Sequence, residues 1–153
     1  KRQAHGSPTL RLAHSKSSLL EVNSWNELNE VLATHVLVDF EADFVCAHLA
    51  AANLVLALDH IQHHTAELPC QHLQNGNESA CSVLREDELH ELFPMSEHDK
   101  TGSAVILRLK VQEGSGVLCI GSRSPTRFAK NMDTLFVQYI ADILAKVMNR
   151  LST

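Results

Sequence analysis

Any chemistry in this chain has to come from its ten histidines, its four cysteines and a few charged side chains set among apolar ones. His60-x-x-His63-His64 followed by Cys70-x-His72 brings nitrogen and sulfur ligands close in sequence, and zinc sites are built from such ligands when they converge. The spacings match no zinc-finger or metalloprotease template and HExxH is absent, so residues 60–80 are expected to be a solvated polar loop and no metal is assigned. Nucleophilic catalysis lacks its motif: there is no G-x-S-x-G elbow, and Ser122 in Ile120-Gly121-Ser122-Arg123 is expected to bond the turn. Gly121 is expected to let its strand leave the sheet without a Cβ clash. Neither a G-x-x-x-x-G-K-[ST] loop nor a G-x-G-x-x-G fingerprint occurs, which removes the usual nucleotide cradles. Glu86-Asp87-Glu88 reads as a solvated helix face. No catalytic residue is assigned.

The cysteines form no CxxC pair. Cys46 and Cys119 sit in apolar, strand-like runs, while Cys70 and Cys81 bracket the polar loop, the pattern of free thiols in a reducing compartment. Arg108 is placed more suggestively. By alternation it shares a strand face with Ala104, Ile106 and Lys110; if that face lines a pocket, its guanidinium can grip an anion with a bidentate fork. The competing reading puts both cations where the sheet frays into solvent.

These residues must be positioned by a set of readable elements. Residues 9–22 carry Leu10, Leu12, Leu19, Leu20 and Val22 and read as the end of a lead-in helix, preceded by a polar tether over 1–8. Ser24 with Glu27 is a capping-box signature for a helix over 25–38, whose stripe is Trp25, Leu28, Val31, Leu32 and His35. Residues 43–51 and 54–59 predict two strands joined by a turn near Ala52-Asn53, with Phe44, Cys46 and His48 on one face and Val45, Ala47 and Leu49 on the other. Both faces are apolar, so the sheet should be covered on both sides. A helix over 47–58 is the alternative that Ala/Leu propensity leaves open. Further strands are predicted at 81–84, 103–111 and 117–122, with a short helix over 85–93 ended by Pro94. A last helix should run from Ser124-Pro125 to about Leu151, with Phe128, Met132, Leu135/Phe136, Ile140, Ile143, Val147 and Leu151 on a stripe long enough to meet a partner helix.

At 153 residues the chain suits one domain, with 1–22 leading into a domain over 23–153. Apolar content of 44% and a formal charge of −5 are those of a soluble protein with no basic field for nucleic acid or anionic lipid. No apolar run approaches the roughly 18–20 residues of a membrane span. A cytoplasmic location is expected, and the start at Lys1, without Met or signal-peptide pattern, is expected of a trimmed piece.

Gly102-Ser103-Ala104, then Gly116-Val117-Leu118-Cys119-Ile120-Gly121-Ser122, then Arg127-Phe128 and Met132-Asp133-Thr134-Leu135-Phe136, resemble the bacterial "domain of unknown function 484" family, whose domain is regarded as GAF-like. The resemblance covers roughly residues 10–151. It departs at Ser82, where the family pattern has Gly after the Cys. It implies an α+β fold, an antiparallel sheet of about five to six strands with helices on both faces and a long C-terminal helix, often dimeric through terminal helices, with no proven activity.

GAF domains bind small molecules between the sheet and its covering helices. On that basis the lining is expected from Phe44, Cys46, His48, Cys81, Leu89, Phe93, Ile106 and Arg108. The NKFDE-type motif of cyclic-nucleotide binders is absent, and Cys81 lacks the following His of bilin attachment. The cofactor is therefore unknown. A non-enzymatic small-ligand sensor or regulatory module leads, with a homodimerisation module having a filled pocket and a thiol-based reductase as alternatives.

Overall fold

The computed structural model describes residues 16–51, 57–112, 114–128 and 134–152. Apolar runs with β-branched residues, bounded by small ones, make the central hairpin, β4 (Gly102–Leu109) and β5 (Ser115–Ser122), paired from Ser103↔Ser122 to Leu109↔Gly116. Gly114 turns the corner at φ +87, where a Cβ would run into the Ala50 carbonyl. On the other side of β5 lies β1 (Phe44–Ala50), antiparallel, with Cys46 opposite Cys119. β3 (Ser79–Leu84) pairs antiparallel with β4.

The fifth strand is not where the hydropathy puts it. β2 is Ile61–His64, parallel to β1, inside the stretch read as a solvated loop. The expected strand over 54–59 falls partly outside the described residues; at its end Ala57 forms only an isolated bridge to Gln62. The expected turn at Ala52-Asn53 lies outside the described residues. The sheet order is β2-β1-β5-β4-β3. Ala47–Ala50 belong to β1, which removes the helical reading of that part of 47–58.

Helices cover the first face. α1 spans residues 16–21, and the expected tether over 1–8 lies outside the described residues. α2 (Trp25–Val31) is capped by Ser24, whose Oγ accepts from Glu27 N–H at 3.1 Å, while the Glu27 carboxylate reaches back to Asn23 N–H rather than Ser24 N–H. Beyond Val31 one wide turn, Leu32–Val36, leads into Leu37–Asp39, with Leu37 N–H bonded to Leu32 O five residues back. The extra residue rotates the stripe by one position. Val36 is buried and His35 is exposed, the reverse of the expectation for His35.

On the second face α3 (Glu86–Leu92) lies against the sheet. α4 (Leu135–Leu151) returns to the first face. Ser124 does not start that helix: its Oγ accepts from Thr126 N–H at 3.3 Å in a turn. Residues 129–133, Met132 among them, lie outside the described residues. The α4 stripe is not left for a partner either. Ile140, Leu144 and Val147 are buried against α2 and the Val45, Val105, Leu118 and Ile120 side of the sheet. The large apolar side chains α4 does expose are Leu135, Phe136 and Tyr139. Among the described residues no helix is long and apolar enough to cross a membrane.

Candidate functional site

Alternation along β1 sends Phe44, Cys46 and His48 to the second face, where β4 adds Ala104 and Ile106 and β5 adds Val117 and Cys119. Glu88 folds back to accept Arg85 N–H at 2.9 Å, which anchors the start of α3. Leu89, Leu92 and Phe93 then point down onto the strands. The Phe93 ring stacks on Phe44 at 5.4 Å. A Cβ on Gly121 would sit 2.5 Å from Phe93 Cε2, and one on Gly102 would sit 2.7 Å from Leu89 Cδ1. Gly121 is therefore small so that Phe93 can settle on the sheet, not to release the strand.

Of the eight residues expected to line a pocket, five pack into one cluster: Phe44, Cys46, Leu89, Phe93 and Ile106, each at most 2% exposed. His48 is buried at the edge of this region. Cys81 is elsewhere. It pairs with Val105, and so points with it to the first face. Arg108 is exposed near the end of β4, beyond the cover, bordering a shallow groove with Glu78, Lys110, Gln138 and Asp142. Sequence reasoning missed Cys119 and Val117, although the β5 alternation that pairs Cys119 with Cys46 was available, and it turned Leu92 inward with Leu89 and Phe93 without counting it in the lining. It also missed Cys70, which packs into the same cluster from a long segment without periodicity.

The polar groups here are histidines, and each is tied to backbone or to a neighbour. His48 Nε2 lies 2.8 Å from Leu92 O, and its Nδ1 lies 2.8 Å from His64 Nε2. A carbonyl only accepts, so His48 carries its proton on Nε2; His64 Nε2–H then donates to His48 Nδ1 when both rings are neutral. Burial pulls the His48 pKa down to about 4, opposed by the Leu92 bond and assisted by His64. Burial and the neighbouring His63 likewise lower His64, against Glu91. His60 donates from Nδ1 to Val45 O at 2.8 Å and His63 from Nε2 to Ala51 O at 2.6 Å, which holds β2 beside β1. These bonds explain why so polar a segment forms a strand. His72 meets Glu88 at 2.8 Å. Glu88 is thus buried rather than solvated; burial pushes its carboxyl up, but Arg85 N–H, His72 and the Arg85 charge outweigh it and hold the pKa below the ordinary value. No group of three or more His, Cys, Asp or Glu placed to hold a metal occurs among the described residues.

All four thiols are free. Burial pushes Cys46 up to about 12 and Cys119 well above the usual thiol value. Cys70 is raised to about 12 by burial and then by Glu91 and Glu88, and burial raises Cys81. A thiol so disposed is a poor nucleophile near neutrality, since the thiolate is the reactive form.

An α+β sheet covered on both faces, closed by a long C-terminal helix, is a GAF-like fold. The X-ray structure of a free methionine-R-sulfoxide reductase from Neisseria meningitidis, in complex with its substrate, superposes with a TM-score of 0.63 over 100% of this chain and 98% of that one. The two are 19% identical, so the likeness is one of fold. The chain belongs to the family described as "Protein of unknown function, DUF484", whose model matches residues 9–153. No curated protein matches the sequence.

Proposed function

We propose that this domain is a non-enzymatic regulatory module that acts by association through its terminal helices, with the GAF-type pocket closed around its own side chains. The observation that carries this reading is Phe93 seated on Gly121 and Phe44, which fills the space between sheet and α3. Apolar surface is instead offered on the helices: Leu20 is 53% exposed on α1 and Phe136 and Tyr139 are each 41% exposed on α4. Lys16 lies over the Tyr139 ring at 5.8 Å, so α1 and the first turns of α4 form one surface. A second copy is the expected partner. Leu20→Lys with Phe136→Lys should give a monomer by light scattering at micromolar concentration, where the unmodified chain is a dimer; an unmodified chain that scatters as a monomer refutes the reading.

Small-ligand sensing is the second reading, and the polar His48–His64 pair beside an otherwise apolar cover favours it. Native mass spectrometry of the freshly purified chain, with a thermal-shift screen of nucleotides, amino acids and tetrapyrroles, should then find a retained or stabilising molecule. A thiol-based reductase is disfavoured by thiols whose pKa values burial raises.

A further inference from the structure

A polar chain on the second face runs from β2 through β1 to the end of α3: His64 Nε2–H to His48 Nδ1, then His48 Nε2–H to Leu92 O. His48 is 1% exposed and Leu92 is fully buried, so water cannot replace the bond between them while α3 is seated, whereas the His64–His48 bond is part-buried. Leu92 is the last residue of α3, and its carbonyl is one of those a helix end leaves without an intrahelical partner. His48 therefore anchors α3 at its C-terminal end, as Glu88 does at its start.

The pair can hold one proton more than its neutral state, because His64 can take it on Nδ1 without disturbing either bond. It cannot hold two. With both rings cationic, two N–H groups confront each other across 2.8 Å, and a positive charge on the buried His48 ring lies against a second one on the half-buried His64. We propose that the His48–His64 pair is a proton-operated latch, which ties α3 to the sheet when at most one ring is charged and releases it when both are. Release uncovers the face formed by Phe44, Cys46 and Cys119, so access to the GAF-type pocket is gated by proton binding. The latch is independent of the association proposed above.

The groups that face the pair are few. His63 on β2 and Glu91 on α3 act on His64, with opposite signs. His63 is itself bonded to Ala51 O, and Glu91 accepts Cys70 N–H at 3.2 Å. On β5 the residue opposite His48 is Val117, which brings no charge. With the affinity of His48 for a proton falling from 6.5 to about 4 on burial, this ring alone raises the opening constant of α3 about twentyfold between pH 7 and pH 5.

Hydrogen exchange of the intact chain at pH 7, 6 and 5, scaled for the chemical exchange rate, tests this. Residues 86–96 should lose protection about twentyfold or more while α4 (Leu135–Leu151) keeps its own. His48→Gln can donate to Leu92 O and accept from His64 but does not titrate, so its 86–96 protection should be flat with pH. His64→Gln keeps a donor to His48 and should reduce the proton dependence to at most one. The latch is overturned if 86–96 is indifferent to pH in the unmodified chain, or if α4 loses protection in step with it. It is also overturned if His48→Gln follows the unmodified profile. Should His48→Gln not fold, an unchanged proton dependence in His64→Gln overturns it as well.

Discussion

The two faces of this sheet are built from different materials. The first is covered by α1, α2 and α4 and is almost wholly aliphatic, with Leu28, Leu32, Ile140 and Leu144 fully buried on it. The second is covered mainly by the seven residues of α3 and their flanking turns. There the packing is Phe on Phe and Cys against Cys, and the cover is fixed at its ends by polar ties: Arg85–Glu88–His72 at one and Leu92–His48–His64 at the other. Dispersion and burial without directional bonds give a face that resists local opening, whereas a short helix held by a few buried hydrogen bonds opens when one of them is lost. The difference teaches where regulation can reside. The thin cover can open or vary while the thick face keeps the sheet folded.

The sharpest way to break this contrast is to truncate one side chain on each face. Leu144→Ala should cost about 4 kcal/mol, as a fully buried leucine with little room to collapse does. The single tryptophan, Trp25, packs against the first-face core and is the natural probe. In urea its midpoint should fall sharply for Leu144→Ala. For Leu92→Ala it should fall by roughly half as much, because α3 can detach before the first face melts. Equal losses on the Trp25 probe would mean that the two faces form one cooperative unit.

Next in size is the pH dependence, which should belong to the second face. His48 has a folded pKa lowered from 6.5 to about 4, so between those values the unfolded ring binds the proton that the folded ring refuses. Stability from this group is complete above pH 6.5 and is lost as pH falls toward 4, by roughly 3 kcal/mol in all. Thermal melts from pH 7.5 to 4.5 should show the decline, and His48→Gln should flatten it. A smaller effect is expected from Gly121→Ala, which forces a methyl against the Phe93 ring and should cost about 2 kcal/mol. Pairing it with Phe93→Leu should recover part of that loss. Additive losses in the double variant would separate the two residues.

Much of the first face was legible because its signals are periodic. Alternation placed Val45, Ala47 and Leu49 of β1 and Val105, Leu107 and Leu109 of β4 on the correct side, and three- and four-residue steps found Ile140, Ile143 and Val147 of α4, though the same steps put the exposed Leu135 and Phe136 on that stripe. The second face was only half legible. Phe44, Cys46, Leu89, Phe93 and Ile106 are brought together, but Cys81 was misassigned because its side depends on the β3–β4 register, which pairs it with Val105. β2 was missed for a different reason. Its Gln-His-His run has no apolar alternation, and it is a strand because its histidines satisfy carbonyls at its neighbour. His35 was misplaced by the wide turn at Leu32–Val36, whose extra residue leaves no mark in composition.

The smallest expected effect compares two serines that look alike in sequence. Ser24 is followed three residues on by Glu27, and its Oγ does accept from Glu27 N–H, at the first turn of a helix whose Trp25 and Leu28 belong to the first face. Ser24→Ala leaves that amide to water and should cost about 1 kcal/mol, read as a lower Trp25 midpoint with an unchanged denaturant slope. Ser124 precedes Pro125, an equally good start signal, yet its Oγ bonds Thr126 alone, accepting from its N–H at 3.3 Å and sharing a hydrogen bond with its hydroxyl at 3.1 Å, in an exposed turn. An exposed hydroxyl bonding an exposed amide trades one solvated contact for another, so Ser124→Ala should move the midpoint by less than about 0.5 kcal/mol. A Ser124→Ala loss as large as that of Ser24→Ala would mean that the helix begins at Ser124 after all.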